Sequence, residues 1–262
     1  MTAAEELSSA RNPLLRDVRR AVQKGSLTEG GFAVAESFHL LEEALRSECH
    51  IDTILAAASV RSTVETLVKG VRQRVISIDD SLFRAISATE ASQGVIALVK
   101  PPTWTMDQLF RGRSMMLILD GIQDPGNAGA IVRAAEAFGA SGAIFVKGTC
   151  SPHNPKALRA SAGSLFRVPV LHGLEVELVR AALQQRRMPF YIAHPRAKQA
   201  LGDLDLTGKF AIVVGSEARG VSPVLEASAV QARIPTLGVE SLNVAVAAGI
   251  FLYEASRQRT LK

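Results

Sequence analysis

The sequence holds little of what several protein classes require. Its two cysteines, Cys49 and Cys150, are too few for a disulfide framework, and neither stands at metal-ligand spacing. They read as buried or half-buried free thiols of a reducing compartment. Aromatic residues make up only 5%, which argues against a stacking platform for single-stranded RNA, since such a platform needs exposed rings. The most apolar run, 244–253, is about half the length that spans a bilayer. The opening MTAAEELSSARNP carries two glutamates and no apolar core, so it does not read as a signal peptide. The expectation is a cytoplasmic protein with no membrane partner and no metal. A Rossmann dehydrogenase is excluded as well: where Gly-x-Gly-x-x-Gly should follow a strand, the chain reads GIQDPGNAGA, with the wrong spacing.

What is present suits a soluble two-domain chain. Length is 262 residues, with 47% hydrophobic and 21% charged, enough to bury a core. The formal net charge is +5, which fits a polyanionic partner such as nucleic acid but is weak evidence alone. The distribution says more. Arg11, Arg16, Arg19, Arg20 and Lys24 cluster at the start, and Lys156, Arg159 and Arg167 cluster in mid-chain.

Apolar periodicity organises the first hundred residues. NPLLRDVRRAVQK reads as a helix with Leu14, Leu15, Val18 and Val22 inward. Its arginine face is either solvated or in contact with RNA. From Gly30 to Val99 strand-like and helical runs alternate: GGFAVAES, FHLLEEALRS, IDTILAAA, VETLVKGVR, RVISIDD, LFRAISAT and QGVIALVK. Such alternation implies an α/β layer fold. KPPTWTMDQLFRGR, with Pro101-Pro102, reads as a linker, and Trp104 reads as pinning it against a domain. The predicted divisions are therefore 1–100, a linker over 101–113, and a second α/β domain over 114–262.

In the second domain SMMLILD is the first strand, and the helix after DGIQDPGN has Ile131, Ala134, Ala135 and Phe138 as its buried stripe. Asn127 sits at or near that helix's N-cap, a sufficient structural role for an Asn. Arg133 stands four residues after Gly129 and leans back over it. Pro155 starts a short helix, PKALRASAG, and FRVPVL reads as a strand. The last third holds two strand-like runs, FAIVVG and the one ending in ARIP. Each stops in a loop of small and polar residues that includes Gly215, Glu217, Gly220, Gly238, Ser241 and Asn243. Loops at the carboxyl ends of strands in an open α/β sheet are where such domains bind ligands. Glycines there allow close backbone approach.

GSEARGVS followed by IPTLGVESLNVAVAAGIFLYE closely resembles the second and third motifs of the SpoU class of RNA ribose 2'-O-methyltransferases, in the SPOUT superfamily. The first motif, Asn-x-Gly-x-x-x-Arg, matches Asn127, Gly129 and Arg133 in DPGNAGAIVRAAEAFGA. The first hundred residues resemble the ribosomal-protein-like (L30e-like) substrate-binding domain of that class. One departure is Glu36-Ser37, where the family usually has Glu-Gly, so the turn there is expected to differ.

The resemblance implies a deep trefoil knot in the C-terminal domain, a homodimer whose subunits complete each other's sites, and S-adenosylmethionine as cofactor. It implies methylation of RNA, most of all 23S ribosomal RNA; transfer RNA and a catalytically silent RNA-binding role are the alternatives. It assigns Arg133 to an RNA phosphate or the reacting hydroxyl, with Asn127, Glu217, Ser241 and Asn243 as the other polar site residues. Gly215, Ile234 and Leu242 would hold the cofactor through backbone, and Lys156 and Arg159 would approach RNA. Glu217 would orient Arg133 or the substrate, while Ser241 and Asn243 would anchor the ribose or hold the cofactor loop. Ser241 also reads as a plain N-cap, and Lys156 and Arg159 as solvated charges. Methyl transfer to an alcohol needs the hydroxyl held in line with the methyl carbon and relieved of its proton, and needs no metal. Arginine is a poor base at its usual pKa, which favours a phosphate-binding or alkoxide-stabilising role for Arg133.

Overall fold

The computed structural model describes residues 5–71 and 73–260. In chain order the first elements are β1 (Glu5–Leu7), α1 (Pro13–Lys24), β2 (Ala33–Glu36), α2 (Phe38–Arg46), β3 (Ile51–Ala57), α3 (Arg61–Leu67), β4 (Arg74–Ile78), α4 (Asp80–Ile86) and β5 (Val95–Val99). Then come α5 (Met106–Leu109), β6 (Met115–Asp120), α6 (Pro125–Ala137), β7 (Gly142–Val146), α7 (Pro155–Ser161), β8 (Val170–Leu174) and α8 (Val176–Gln185). The last are β9 (Phe190–Ala193), β10 (Phe210–Gly215), α9 (Pro223–Glu226), β11 (Val230–Ala232) and α10 (Val244–Thr260). The α/β architecture expected from alternation is present in both halves. Of the helix expected over 64–72, Arg72 lies outside the described residues.

Contacts divide the chain into two compact units: Met1–Pro102 with His153–Phe166, and Thr103–Pro152 with Arg167–Lys262. The segment 153–166 therefore does not stay with the 114–262 stretch in which the sequence reading placed it. The reason is packing: α7 lies against β2, burying Pro155, Ala157 and Leu158. Just beyond it Gly163 takes φ +88°, and a Cβ there would stand 2.6 Å from the Cβ of Glu43. Only glycine permits both that conformation and that approach. The expected linker is also shorter than 101–113. Leu109 of α5 is fully buried in the second unit's core, with Trp104, Met106 and Phe110 packed against it.

The first unit is a mixed sheet in the order β1-β4-β3-β5-β2, with β1 and β3 parallel to β4, and β5 antiparallel to both β3 and β2. Helix α1 buries Leu15, Val18 and Ala21 with Phe83 and Ile86 of α4 and strand residues Ile76 and Ile78. Strand β1 has no counterpart in the sequence reading, because three residues leave no periodicity to read.

Glu36 ends β2 and is 2% exposed. Its carboxylate accepts hydrogen bonds from the Ser87 hydroxyl, the Ala88 N–H (2.7 Å) and the Thr89 hydroxyl (2.8 Å). Ser37 follows at φ 147°, ψ 159°, a region essentially reserved for glycine. Its hydroxyl accepts from the Leu40 N–H at 3.1 Å and so caps α2. The departure from Glu-Gly thus keeps the glycine-like turn and adds a cap.

The second unit is a six-stranded sheet, β11-β9-β10-β6-β7-β8, with every pairing parallel. Parallel strands are covered on both faces and read as continuous apolar runs. Met115–Asp120 is such a run up to Leu119, with all six positions buried. From β6 the chain moves outward through β7 to β8. It then crosses to the other side of the sheet for β9, β10 and β11. Strands β6 and β10 adjoin where the order reverses, which is where open α/β sheets form ligand crevices. Strand β8 starts at Val170 rather than within 166–169, because Ser164–Phe166 forms a 3-10 turn and Pro169 has no N–H to give a ladder. Among the described residues, no helix is long and apolar enough to cross a membrane.

Candidate active site

Three loops of the second unit are pinned to one another by side chains. Helix α6 is capped by Asp124, whose Oδ1 accepts from the Gly126 N–H at 3.0 Å. The cap expected near Asn127 is therefore three residues earlier, and Asn127 sits inside the first turn with its amide free for other partners. Asn127 Nδ2 donates to Glu217 Oε1 at 3.0 Å. Asn243 Nδ2 donates to Asn127 Oδ1 at 3.1 Å and lies 3.4 Å from Glu217 Oε1.

Asn243, not Ser241, caps α10: its Oδ1 accepts from the N–H groups of Ala245 (2.9 Å) and Val246 (3.3 Å). That commitment fixes both amides. An oxygen facing backbone N–H groups leaves Asn243 Nδ2 to donate, so Asn127 must present its oxygen to it and its nitrogen to Glu217. One chain of hydrogen bonds thus ties the start of α6, the loop after β10 and the start of α10.

The loop after β10 is a tight hairpin. Ser216 and Gly220 exchange backbone hydrogen bonds of 3.1 and 2.8 Å, and the Ser216 hydroxyl accepts from the Arg219 N–H at 3.0 Å. A Cβ on Gly215 would lie 2.2 Å from the carbonyl carbon of Gly220, so the hairpin closes only over glycine. Its far end is tied to β6, where Asp120 Oδ2 accepts from the Ser222 N–H at 2.7 Å. The sequence reading missed Asp120; an acid ending an otherwise apolar strand was the signal available.

Beside this hairpin lies a cavity of about 390 Å³. Its wall includes Ile192, Val213, Gly215, Ile234 and Leu242, with Glu217 and Ser241 also facing it. The three residues proposed to hold a cofactor therefore share one cavity with two of the polar candidates. Ser241 is exposed and makes no hydrogen bond among the described residues. A cavity of that size, apolar on one side and with a few convergent polar groups, is of the kind that takes a small organic ligand. S-adenosylmethionine, with a flat, largely apolar adenine face and a polar ribose and amino-acid end, fits this lining.

The other candidates fall elsewhere. Arg133 is exposed on α6, does not line the cavity, and has no hydrogen bond or ion pair among the described residues. Within the chain, Glu217 makes no ion pair with Arg133, and its Oε1 takes the side chains of the two asparagines. Lys156 and Arg159 belong to α7 and thus to the first unit. Arg159 is 29% exposed and its Nη1 lies 3.8 Å from the buried Glu36 carboxylate. Lys156 is exposed on the same helix. Cys150 is half-buried, and burial, assisted by the charge of Asp124, pushes its thiol up to about 11. A thiol so strongly protonated at neutral pH is no nucleophile. Among the described residues, no group of three or more His, Cys, Asp or Glu side chains could hold a metal ion.

Known proteins resemble this chain in sequence and in fold. Residues 114–253 match the model of the SpoU rRNA Methylase family, and residues 12–97 match that of an MRM3-like substrate binding domain. An uncharacterised tRNA/rRNA methyltransferase of Synechocystis sp. is 31% identical over 97% of this chain and 94% of its own length. The 23S rRNA (guanosine(2553)-2'-O)-methyltransferase RlmP of Bacillus subtilis is 31% identical over 95% of this chain and 98% of its own length. Among solved structures, the SpoU methyltransferase AviRb of Streptomyces viridochromogenes in complex with AdoMet superposes with a TM-score of 0.87. It is 26% identical and covers 95% of this chain and 99% of AviRb. With its three motif loops joined by Asn127, Glu217 and Asn243 at the end of a parallel sheet, and these full-length relatives beside it, the chain belongs to the SpoU rRNA methylase family.

Proposed function

We propose that this chain transfers a methyl group from S-adenosylmethionine to a ribose 2'-hydroxyl of 23S ribosomal RNA in the cytoplasm. The observation that carries the reading is the Asn127–Glu217–Asn243 cluster at the rim of the cavity that Gly215, Ile234 and Leu242 line. The bound cofactor supplies an electrophilic methyl carbon on a positively charged sulfur. Gly215, Ile234 and Leu242 hold it through their backbone, and the closed hairpin over Gly215 keeps that wall rigid. The two asparagines and Glu217 fix the loops, so the ribose meets a preorganised surface rather than one that must order itself. The Ser241 hydroxyl, without a hydrogen-bond partner among the described residues, is available to the ribose.

Arg133 has five side-chain N–H donors and no side-chain partner among the described residues, which suits a group reserved for RNA. It binds a phosphate next to the target or stabilises the oxygen anion as the 2'-hydroxyl loses its proton. Lys156 and Arg159 would add phosphate contacts, although the position of Arg159 beside Glu36 makes Lys156 the better placed of the two.

The homodimer belongs to the same proposal. Val246 (51% exposed) and Tyr253 (56%) stand seven residues apart on α10, and Phe138 packs edge-on to Tyr253 at 5.9 Å between ring centroids. An exposed apolar strip of this kind suits a second copy. Arg133 lies away from its own chain's cavity wall, so a partner's cavity is a natural destination for it.

The deciding measurement is methyl transfer from labelled S-adenosylmethionine to protein-free 23S RNA, with nucleoside analysis of the digest. A 2'-O-methylated nucleoside is expected, and Arg133→Ala should lower the rate by roughly 10²–10³-fold with cofactor binding retained. Transfer to transfer RNA alone would overturn the substrate, and full activity of the variant would overturn the role of Arg133.

A further inference from the structure

We propose that the exposed face of α1 is a docking surface for the phosphate ladder of double-helical RNA. The proposal rests on the reading that RNA is the substrate, and it adds where and in what form the RNA is held.

Helix α1 is strongly two-sided. Leu15, Val18 and Ala21 are buried, while Arg16, Arg19, Arg20 and Lys24 are exposed, as is Arg11 just before the helix. At 100° per residue, the helical cations fall within an arc of about 140°, and from Arg16 to Lys24 they rise about 12 Å. The one acid on the helix, Asp17, does not neutralise the row. Its two oxygens accept from the Glu29 N–H at 3.0 and 2.9 Å, and Oδ1 also from Arg20 at 3.1 Å. Arg20 further pairs with Glu29 at 2.6 Å. Arg11, Arg16, Arg19 and Lys24 then remain with no side-chain hydrogen bond or ion pair among the described residues.

Placement argues against a merely solvated face. Arg11 and Arg16 stand at the N-terminal end of α1, and no acidic residue occupies its first turn. Cations at that end oppose the helix dipole and cost stability, whereas an anion there is favoured. Two arginines held at a helix start are relieved by an external anion. A duplex offers about one phosphate charge per 1.7 Å of axis, so a row of cations about 12 Å long meets several at once.

The unit's described aromatic rings, Phe32, Phe38, Phe83 and Phe166, are buried or half-buried. Without exposed rings a single strand has nothing to stack on, whereas a duplex is recognised by shape and backbone.

The test measures binding of the full chain to a 20-base-pair RNA duplex, and to one of its strands alone, across a range of salt concentrations. The unaltered chain should bind the duplex more tightly. Its affinity should fall linearly with salt on logarithmic axes, and Arg16→Gln/Arg19→Gln/Lys24→Gln should reduce that slope by about 2.7, or 0.9 per lost contact. A loss of at least about tenfold in duplex affinity at 0.1 M salt accompanies it. Retained cofactor binding and a melting temperature no lower than that of the unaltered chain show that the variant is folded. An unchanged slope overturns the proposal. So does a preference for the single strand, whichever variant shows it. Methyl transfer by the unaltered chain is read separately. If it methylates no RNA yet the slope changes as expected, the activity reading fails while the docking surface stands.

Discussion

Glu36 in the first unit and Glu217 in the second each gather donors from separate segments, and the two differ in what surrounds them. Glu36 is 2% exposed, collects two hydroxyls and a backbone N–H, and lies beside Arg159. Glu217 is exposed and collects the side chains of Asn127 and Asn243. Both fix loops. The buried one is walled off from any substrate, so its hydrogen bonds serve stability. The exposed one leaves the asparagines it holds at the rim of a ligand-sized cavity. Exposure, rather than residue type or the number of hydrogen bonds, separates a structural carboxylate from one that belongs to a site.

Glu36→Ala tests the contrast hardest. It strands buried donors and a neighbouring guanidinium, and should cost about 3 kcal/mol. Thermal unfolding should register this as a drop of roughly 6–12 °C, while methyl transfer per folded molecule falls by less than about tenfold. Glu217→Ala should do the reverse: a rate loss of about 100-fold, or roughly 2.7 kcal/mol in the barrier, with a melting temperature near that of the parent. If both variants lose stability and keep activity, the distinction fails. Ser37→Gly sharpens the Glu36 side. It removes strain of about 1–3 kcal/mol and sacrifices only a few tenths from the lost cap. Stability should rise by about 1 kcal/mol, seen as a higher melting temperature. The smallest expected effect is on Cys150, whose thiol should react with iodoacetamide far more slowly at pH 7 than a free cysteine does, as followed by mass spectrometry.

The motif loops were legible in the sequence because chemistry there depends on residue type at fixed spacing. Gly215, Glu217, Ile234, Ser241 and Leu242 do meet at one cavity, and Asn127 and Asn243 do meet Glu217. The longer strands and helices followed from periodicity in both halves, while the short β1, α5 and α9 did not. What escaped was long-range. Nothing local tells that Asn243, rather than Ser241, caps α10, because the choice depends on where the amide nitrogen finds Asn127. Nothing local tells that α7 belongs with β2, since Pro155–Ser161 reads only as a short helix in the stretch where it stands. Arg159 read as an RNA-facing or solvated cation for the same reason; Glu36, 3.8 Å from it, lies more than a hundred residues away.

The chain's route through its two units sets an order on its birth. It passes from one unit to the other three times, at 102/103, 152/153 and 166/167. Synthesis runs from the N-terminus, and domains fold as they emerge. Yet the first unit lacks α7 until residue 166 has been made, by which time β6, α6 and β7 of the second unit already exist. The N-terminal unit, whose apolar core closes within Leu15 to Leu98, is therefore the first to begin, and the cover that α7 gives to β2 comes last. A nascent chain halted between residues 102 and 152 should remain sensitive to protease around β2, and protection should come only once the Pro155–Phe166 segment has cleared the ribosome.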